Sequence, residues 1–200
     1  MTAKDYDERL ASLATGDGSR FMTGVRNLVQ NDRIRIIPGV AKIASESEQA
    51  IEWLISLMLR QETNDSVHLV AFHSVRFVGP AAFPALRKAW EHEWERKRSL
   101  KRLGQIHMCM TDIAGAAGNS PETKRQMPPI AQQEIPRWIE CLRADQSSVR
   151  FWAIWILACL LPFAPELAEE VRRGISDLTV DDDQQVRDRA IAAVRDIGRA

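Results

Sequence analysis

An apolar stripe that returns at one fixed spacing, in segments far apart, constrains this chain more than any other feature. Near the C-terminus, Val186, Ala190, Val194, Ile197 and Gly198 stand at offsets 0, 4, 8, 11 and 12. The same offsets from Val149 give Ala153, Leu157, Leu160 and Leu161, and from Val67 they give Ala71, Val75, Val78 and Gly79. A fourth, degenerate copy starts at Leu103 and runs through His107, Thr111, Ala114 and Gly115. On a helix turning about 100° per residue, the first four offsets fall within about 80° of arc. The first three copies therefore share one buried ridge, with a small Ala where a neighbouring helix comes close. Strand-like alternation is nearly absent, so the periodicity predicts an all-α chain.

The anchors 67, 103, 149 and 186 are separated by 36, 46 and 37 residues. The longer step holds residues 119–129, Asn-Ser-Pro-Glu-Thr-Lys-Arg-Gln-Met-Pro-Pro, which read as a loop insertion because proline punctuates helices. Before each anchor lies another apolar-periodic segment, roughly residues 48–60, 82–96, 135–143 and 164–178. Ser45 and Glu48 have capping-box spacing. Asp65, Ser147 and Asp183 sit where N-caps of the anchor helices are expected. The predicted unit is helix–turn–helix, repeated four times. Upstream, residues 20–30 and 38–44 read as helices of a cap over residues 1–45, with the repeats filling 46–200 as one domain.

Two of these copies carry a family signature. Asp145-Gln-Ser-Ser-Val149-Arg150-x-x-Ala153 and Asp183-Gln-Gln-Val186-Arg187-x-x-Ala190 resemble the Asp…Val-Arg…Ala pattern of HEAT and HEAT-like (PBS-lyase-type) repeats. Val78-Gly79-Pro80 with its continuation to Leu86, and the closing Ile197-Gly198, are similar to that family too. Around Leu103 the pattern departs, because Gly104 stands where the Arg is expected. The resemblance spans residues from about 48 to 200. It implies a right-handed α-α superhelix, a solenoid of about four HEAT-like helix pairs with a helical N-terminal cap. It implies no single activity, because one scaffold hosts many functions.

Composition removes several function classes. Lys and Arg total 27 against 27 Asp and Glu, a net charge of zero that disfavours a chain devoted to nucleic acid or an anionic membrane. An apolar fraction of 45% excludes general disorder. The three cysteines Cys109, Cys141 and Cys159 are odd in number and unpaired in spacing, so neither a disulfide framework nor a cysteine zinc site is expected. The charged start lacks a secretory h-region, and the longest apolar run, residues 151–164, suits a buried helix better than a membrane span. A cytoplasmic location is the expectation.

Chemistry-bearing patterns are sparse. The four histidines are His68, His73, His92 and His107. His92-Glu93 is the single His-Glu pair, whereas HEAT-repeat hydroxylases use several, so no metal or other cofactor is expected. No P-loop, G-x-S-x-G or H-E-x-x-H occurs, and no catalytic residue is assigned. The segment 87–102 is a basic cluster containing Arg87, Lys88, Arg96, Lys97, Arg98, Lys101 and Arg102. Its bland role is a solvated helix face; its functional role is phosphate binding. HEAT-like DNA glycosylases, which grip a duplex with a basic surface, make nucleic-acid binding or DNA repair the alternative function.

A second helix face carries the main functional expectation. Offsets 2, 3, 6 and 10 point away from the ridge. They are Phe151, Trp152, Trp155 and Cys159 in one copy, and Leu69, Val70, His73 and Phe77 in another. Around Leu103 they are Gln105, Ile106, Cys109 and Ile113; in the last copy they turn polar as Asp188, Arg189, Ala192 and Asp196. Either neighbouring helices bury this apolar face, or it lines a groove for a partner. The expected function is non-catalytic recognition of a dedicated protein through a concave face of His73, Phe77, Phe151, Trp152 and Trp155. An enzyme or toxin that the chain inhibits, as an immunity protein does, is the kind of partner envisaged. Arg150 and Arg187 are assigned instead to a structural ladder with inter-repeat aspartates such as Asp145 and Asp183.

Overall fold

The structure is a computed structural model. It describes residues 18–29, 36–60, 65–95, 100–117 and 120–198. The α-helices are α1 (Gly18–Val29), α2 (Ile36–Ser45), α3 (Glu48–Leu59), α4 (Asp65–Val78), α5 (Phe83–Glu95), α6 (Leu100–Ala117), α7 (Pro121–Cys141), α8 (Ser147–Leu160), α9 (Ala168–Ser176) and α10 (Gln184–Ile197). Short 3-10 turns follow α4, α8 and α9, and no strand occurs among the described residues. The all-α expectation holds. The chain divides into two compact units, Met1–Ile113 and Ala114–Ala200, described separately below.

In the first unit, α4 packs against α2 and α3, and α1 lies on α3 and α4. Phe21, Ile36, Leu54, Leu57, Val75 and Phe83 are fully buried there. The predicted ridge faces this core, with Val67 at 6% exposure and Ala71 and Val75 at 0%. Helices α4 and α6 run parallel, because their contacts climb together. Gln105 donates to His68 Nε2 at 3.2 Å, the Cys109 thiol lies 4.0 Å from the Phe72 carbonyl, and Arg76 pairs with Asp112 at 2.9 Å. The 36-residue spacing of the sequence has become a side-by-side register.

A continuous helical stretch, Ser66–Glu95, is long and apolar enough by composition to cross a membrane, yet half of its most apolar window is buried within the protein. Gly79 interrupts this stretch with φ at +75°, a left-handed conformation that a Cβ disfavours. The chain turns there, and Pro80 starts the next helical turn.

In the second unit, α8 packs against α7 and α10, and α9 against α10. Val149, Ala153, Leu157, Leu160 and Ala190 are all 0% exposed, as the ridge requires. Asp183 caps α10, accepting the backbone N–H groups of Gln185 and Val186 at 2.8 and 3.2 Å. Arg150 is a clamp. Its Nε and Nη2 donate to the Asp181 carboxylate at 2.7 and 2.8 Å, while Nη1 reaches the Ala144 and Asp145 carbonyls at 2.7 and 2.9 Å. Arg187 repeats the carbonyl half of this pattern on Asp181 and Asp182. A ladder therefore exists, but its carboxylate is Asp181 rather than Asp145 or Asp183.

Three local expectations are corrected. The expected loop insertion at 119–129 is helix from Pro121 onward, with Pro128, Pro129 and Pro136 inside α7. Pro121 fits a first turn, where no N–H is needed. The later prolines orphan the carbonyls of Lys124, Arg125 and Gln132, and all three residues are exposed, where water can replace the lost bond. Meanwhile Met127, Ala131, Ile135 and Trp138 form a buried stripe that holds the segment in place. The Ser45 hydroxyl donates back to Lys42 O at 2.6 Å, and the N-cap position of α3 is Ser47, so no capping box forms at Ser45. The N-cap of α8 is Gln146, with Ser147 one position inside the helix.

Candidate functional site

Among the described residues of the first unit, the face opposite the α4 ridge exposes the most large apolar surface. Leu69, His73 and Phe77 follow one another at intervals of four residues, so they form a row along one side of the helix. Phe77 is 65% exposed and Leu69 44%, while Val70, one position over, is fully buried. His73 is half-buried between them and accepts from Arg76 Nη1 at 3.3 Å. Burial, then the Arg76 charge, lower its pKa. Phe72 lies beside the row, edge-on to His73 at 5.5 Å, with the Arg76 guanidinium 5.7 Å from its ring centre.

The same offsets on α6 do not stay open. Gln105 is half-buried, Cys109 fully buried and Ile113 nearly so. The Cys109 thiol reaches Met58 Sδ at 3.6 Å, and burial pushes it up to about 12, so it remains a thiol and packs as core. His107 is held low, at about 4, by burial, which keeps it neutral at physiological pH. His68 is fixed by two neighbours. Its Nδ1–H donates to Met58 O at 2.8 Å, and its Nε2 accepts from Gln105.

In the second unit, Phe151, Trp152 and Cys159 are half-buried, and Trp155 is 38% exposed. Trp155 is also covered. The Arg189 guanidinium lies over its ring at 3.6 Å, a cation–π stack that joins α8 to α10. Arg189 Nε is buried with no hydrogen-bond partner among the described residues, and burial lowers the pKa of the group. The expected partner residues thus fall into two groups. His73 and Phe77 belong to an open row on α4, whereas Phe151, Trp152 and Trp155 belong to the partly covered α8 face.

The basic cluster is largely neutralised where it is described. Arg87 donates to Glu91 at 2.6 Å, Lys88 to Glu52 at 2.6 Å, and Arg102 to Glu93 at 3.3 Å. Glu52 comes from α3, 36 residues away, and spacing within the cluster gives no sign of it. Lys101 is exposed. Arg96, Lys97 and Arg98 lie outside the described residues. Among the described residues no group of three or more His, Cys, Asp or Glu side chains could hold a metal ion.

No family model and no curated protein matches this chain. Among solved structures, the crystal structure of an engineered protein is similar over 100% of this chain and 98% of its own, at 16% identity and a TM-score of 0.46. At that level of likeness it carries no argument about function.

Proposed function

We propose that this chain is a non-catalytic recognition module, a HEAT-like α-solenoid that binds a dedicated protein partner in the cytoplasm. The observation that carries this is the open row Leu69–His73–Phe77 on α4. Large apolar side chains at 44% and 65% exposure, spaced to form one continuous strip, are what a partner's apolar anchors would cover. The solenoid form is supported by the parallel register of α4 with α6 at the repeat spacing and by the packing of α8 on α10. The Trp155 face has a lesser part, since Arg189 already occupies it. Nucleic-acid binding through residues 87–102 is weakened by the Arg87, Lys88 and Arg102 ion pairs.

The test is capture of partners from source-cell lysate by tagged wild-type chain and by the double variant Leu69→Ala, Phe77→Ala. Both side chains are exposed, so the variant keeps its helical signal. One stoichiometric protein, retained through high salt and nuclease treatment and lost from the variant, supports the proposal. Nuclease-sensitive recovery, or capture that the double variant leaves unchanged, refutes it.

A further inference from the structure

Between α3, α5 and the start of α6 the first unit contains a cavity of about 460 Å³. That lies within the size range of small-molecule sites. The space exists because Ser56, Ala85 and Ala89 are short, leaving Ile55 and Leu59 as an apolar floor. Charged side chains ring it, and their hydrogen bonding is lopsided.

The carboxylates are engaged. Glu52 accepts from Lys88 on one oxygen at 2.6 Å and from Gln49 on the other at 3.2 Å. Glu93, only 4% exposed, accepts Arg102 Nη1 on both oxygens at 3.4 and 3.3 Å. The donors are in surplus. Arg102 gives only Nη1 to Glu93, and its Nε is buried with no partner among the described residues. His92, on the rim, is exposed. A guanidinium has five N–H donors and no acceptor, and an unmet buried donor is a standing cost that an incoming acceptor recovers. The long Arg102–Glu93 contacts also leave the fork free to swing, since a charge-assisted pair normally closes to about 2.8 Å.

We propose that this cavity binds a small organic acid with a short apolar body. Its carboxylate takes the Arg102 guanidinium, whose fork turns from the long Glu93 contacts to bring the buried Nε edge to the ligand, and its hydrocarbon lies on Ile55, Leu59, Ala85 and Ala89. A cationic ligand would find its acceptors already spent, and a neutral hydroxyl would offer Nε only a weaker, uncharged acceptor. This site is independent of the α4 row, so either proposal can fail without the other.

The experiment is a nuclear magnetic resonance titration of the full chain with hexanoate, hexan-1-ol and hexylammonium at matched ionic strength. Hexanoate is expected to shift amides of α3 and α5 and to bind at least about tenfold tighter than hexan-1-ol, the worth of a charged hydrogen bond. Hexylammonium is expected to bind weakest. Ala89→Leu fills the cavity and should abolish the hexanoate shifts, whereas Arg102→Gln should erase the preference for acid over alcohol. The proposal is overturned if no probe shifts α3 and α5, if hexylammonium matches hexanoate, or if Ala89→Leu leaves hexanoate binding unchanged. Should either variant fail to fold, the order of the three probes on the wild-type chain decides.

Discussion

Substituting Asp181 by Ala isolates what the Arg150 clamp contributes to the second unit. The carboxylate accepts two bonds from Arg150, at 2.7 and 2.8 Å, and the Asp183 backbone N–H at 2.9 Å. The pair is well buried, with side-chain exposures of 15% for Arg150 and 5% for Asp181. Breaking one side of a buried pair costs about 3–5 kcal/mol when the other charge is stranded. Arg150 is not fully stranded, because Nη1 keeps the Ala144 and Asp145 carbonyls. The expected loss for Asp181→Ala is therefore about 2–3 kcal/mol. Arg187 makes the same carbonyl contacts without a carboxylate, and Arg187→Ala should cost only about 1 kcal/mol, which provides an internal control. Urea denaturation followed by circular dichroism, run as an Arg150→Ala/Asp181→Ala double-mutant cycle, measures the coupling directly. A coupling energy below about 0.5 kcal/mol, the scale of an exposed ion pair, would refute the clamp. The pH dependence gives a second reading. Arg150 depresses the Asp181 pKa below 3.8 in the folded chain, so the contribution is complete well above that value. It is lost as pH falls through 3.8 toward the lower folded value, and Asp181→Asn should remove that part of the acid transition.

Three further outcomes are expected. His107, held at about 4 against an ordinary 6.5, binds fewer protons folded than unfolded, so stability should fall as pH drops from 6.5 toward 4; His107→Gln should flatten that slope in pH-dependent denaturation. Gly79→Ala meets no atom within 4 Å but forces a Cβ onto a φ of +75°, so thermal melting should report a loss of about 1–2 kcal/mol from backbone strain alone. In native-state alkylation read by mass spectrometry, half-buried Cys159 should label before Cys109, whose thiol is buried and pushed up to about 12; prompt labelling of Cys109 would contradict the α4–α6 packing.

The helical class and the anchor helices were legible because each ridge repeats a pattern that only a helix brings to one side. Val149, Ala153 and Leu157 announce their burial through spacing alone. Helix α7 was not legible in the same way, since Pro128 and Pro129 outweighed the stripe Met127–Ala131–Ile135–Trp138 that was equally present. The fate of the second face depends on which neighbours arrive, and a single helix cannot show that. Ile113 and Phe77 hold the same offset in their copies, yet one is 2% and the other 65% exposed. The Lys88–Glu52 pair and the cavity beside it join residues far apart in the chain, brought together by the packing of α3 on α5. The ladder was anticipated as a device, but its carboxylate was misassigned because the turn before α10 offers Asp181, Asp182 and Asp183 in succession.

The prolines of α7 bear on the order in which the second unit assembles. Three interior prolines disfavour an isolated helix by about 3 kcal/mol each, so this segment has no autonomous helical state worth populating. It becomes helical only when Met127, Ala131, Ile135 and Trp138 have a surface to settle on, and that surface is offered by α8, its packing partner. Helices α8 and α10, joined by the Arg189–Trp155 stack, carry no interior proline and can offer that template without α7. The expected order is therefore that α7 becomes helical on α8 rather than ahead of it. In the folded chain the same asymmetry is expected to let α7 open more readily than α8, so its amides should exchange with solvent faster than those of α8.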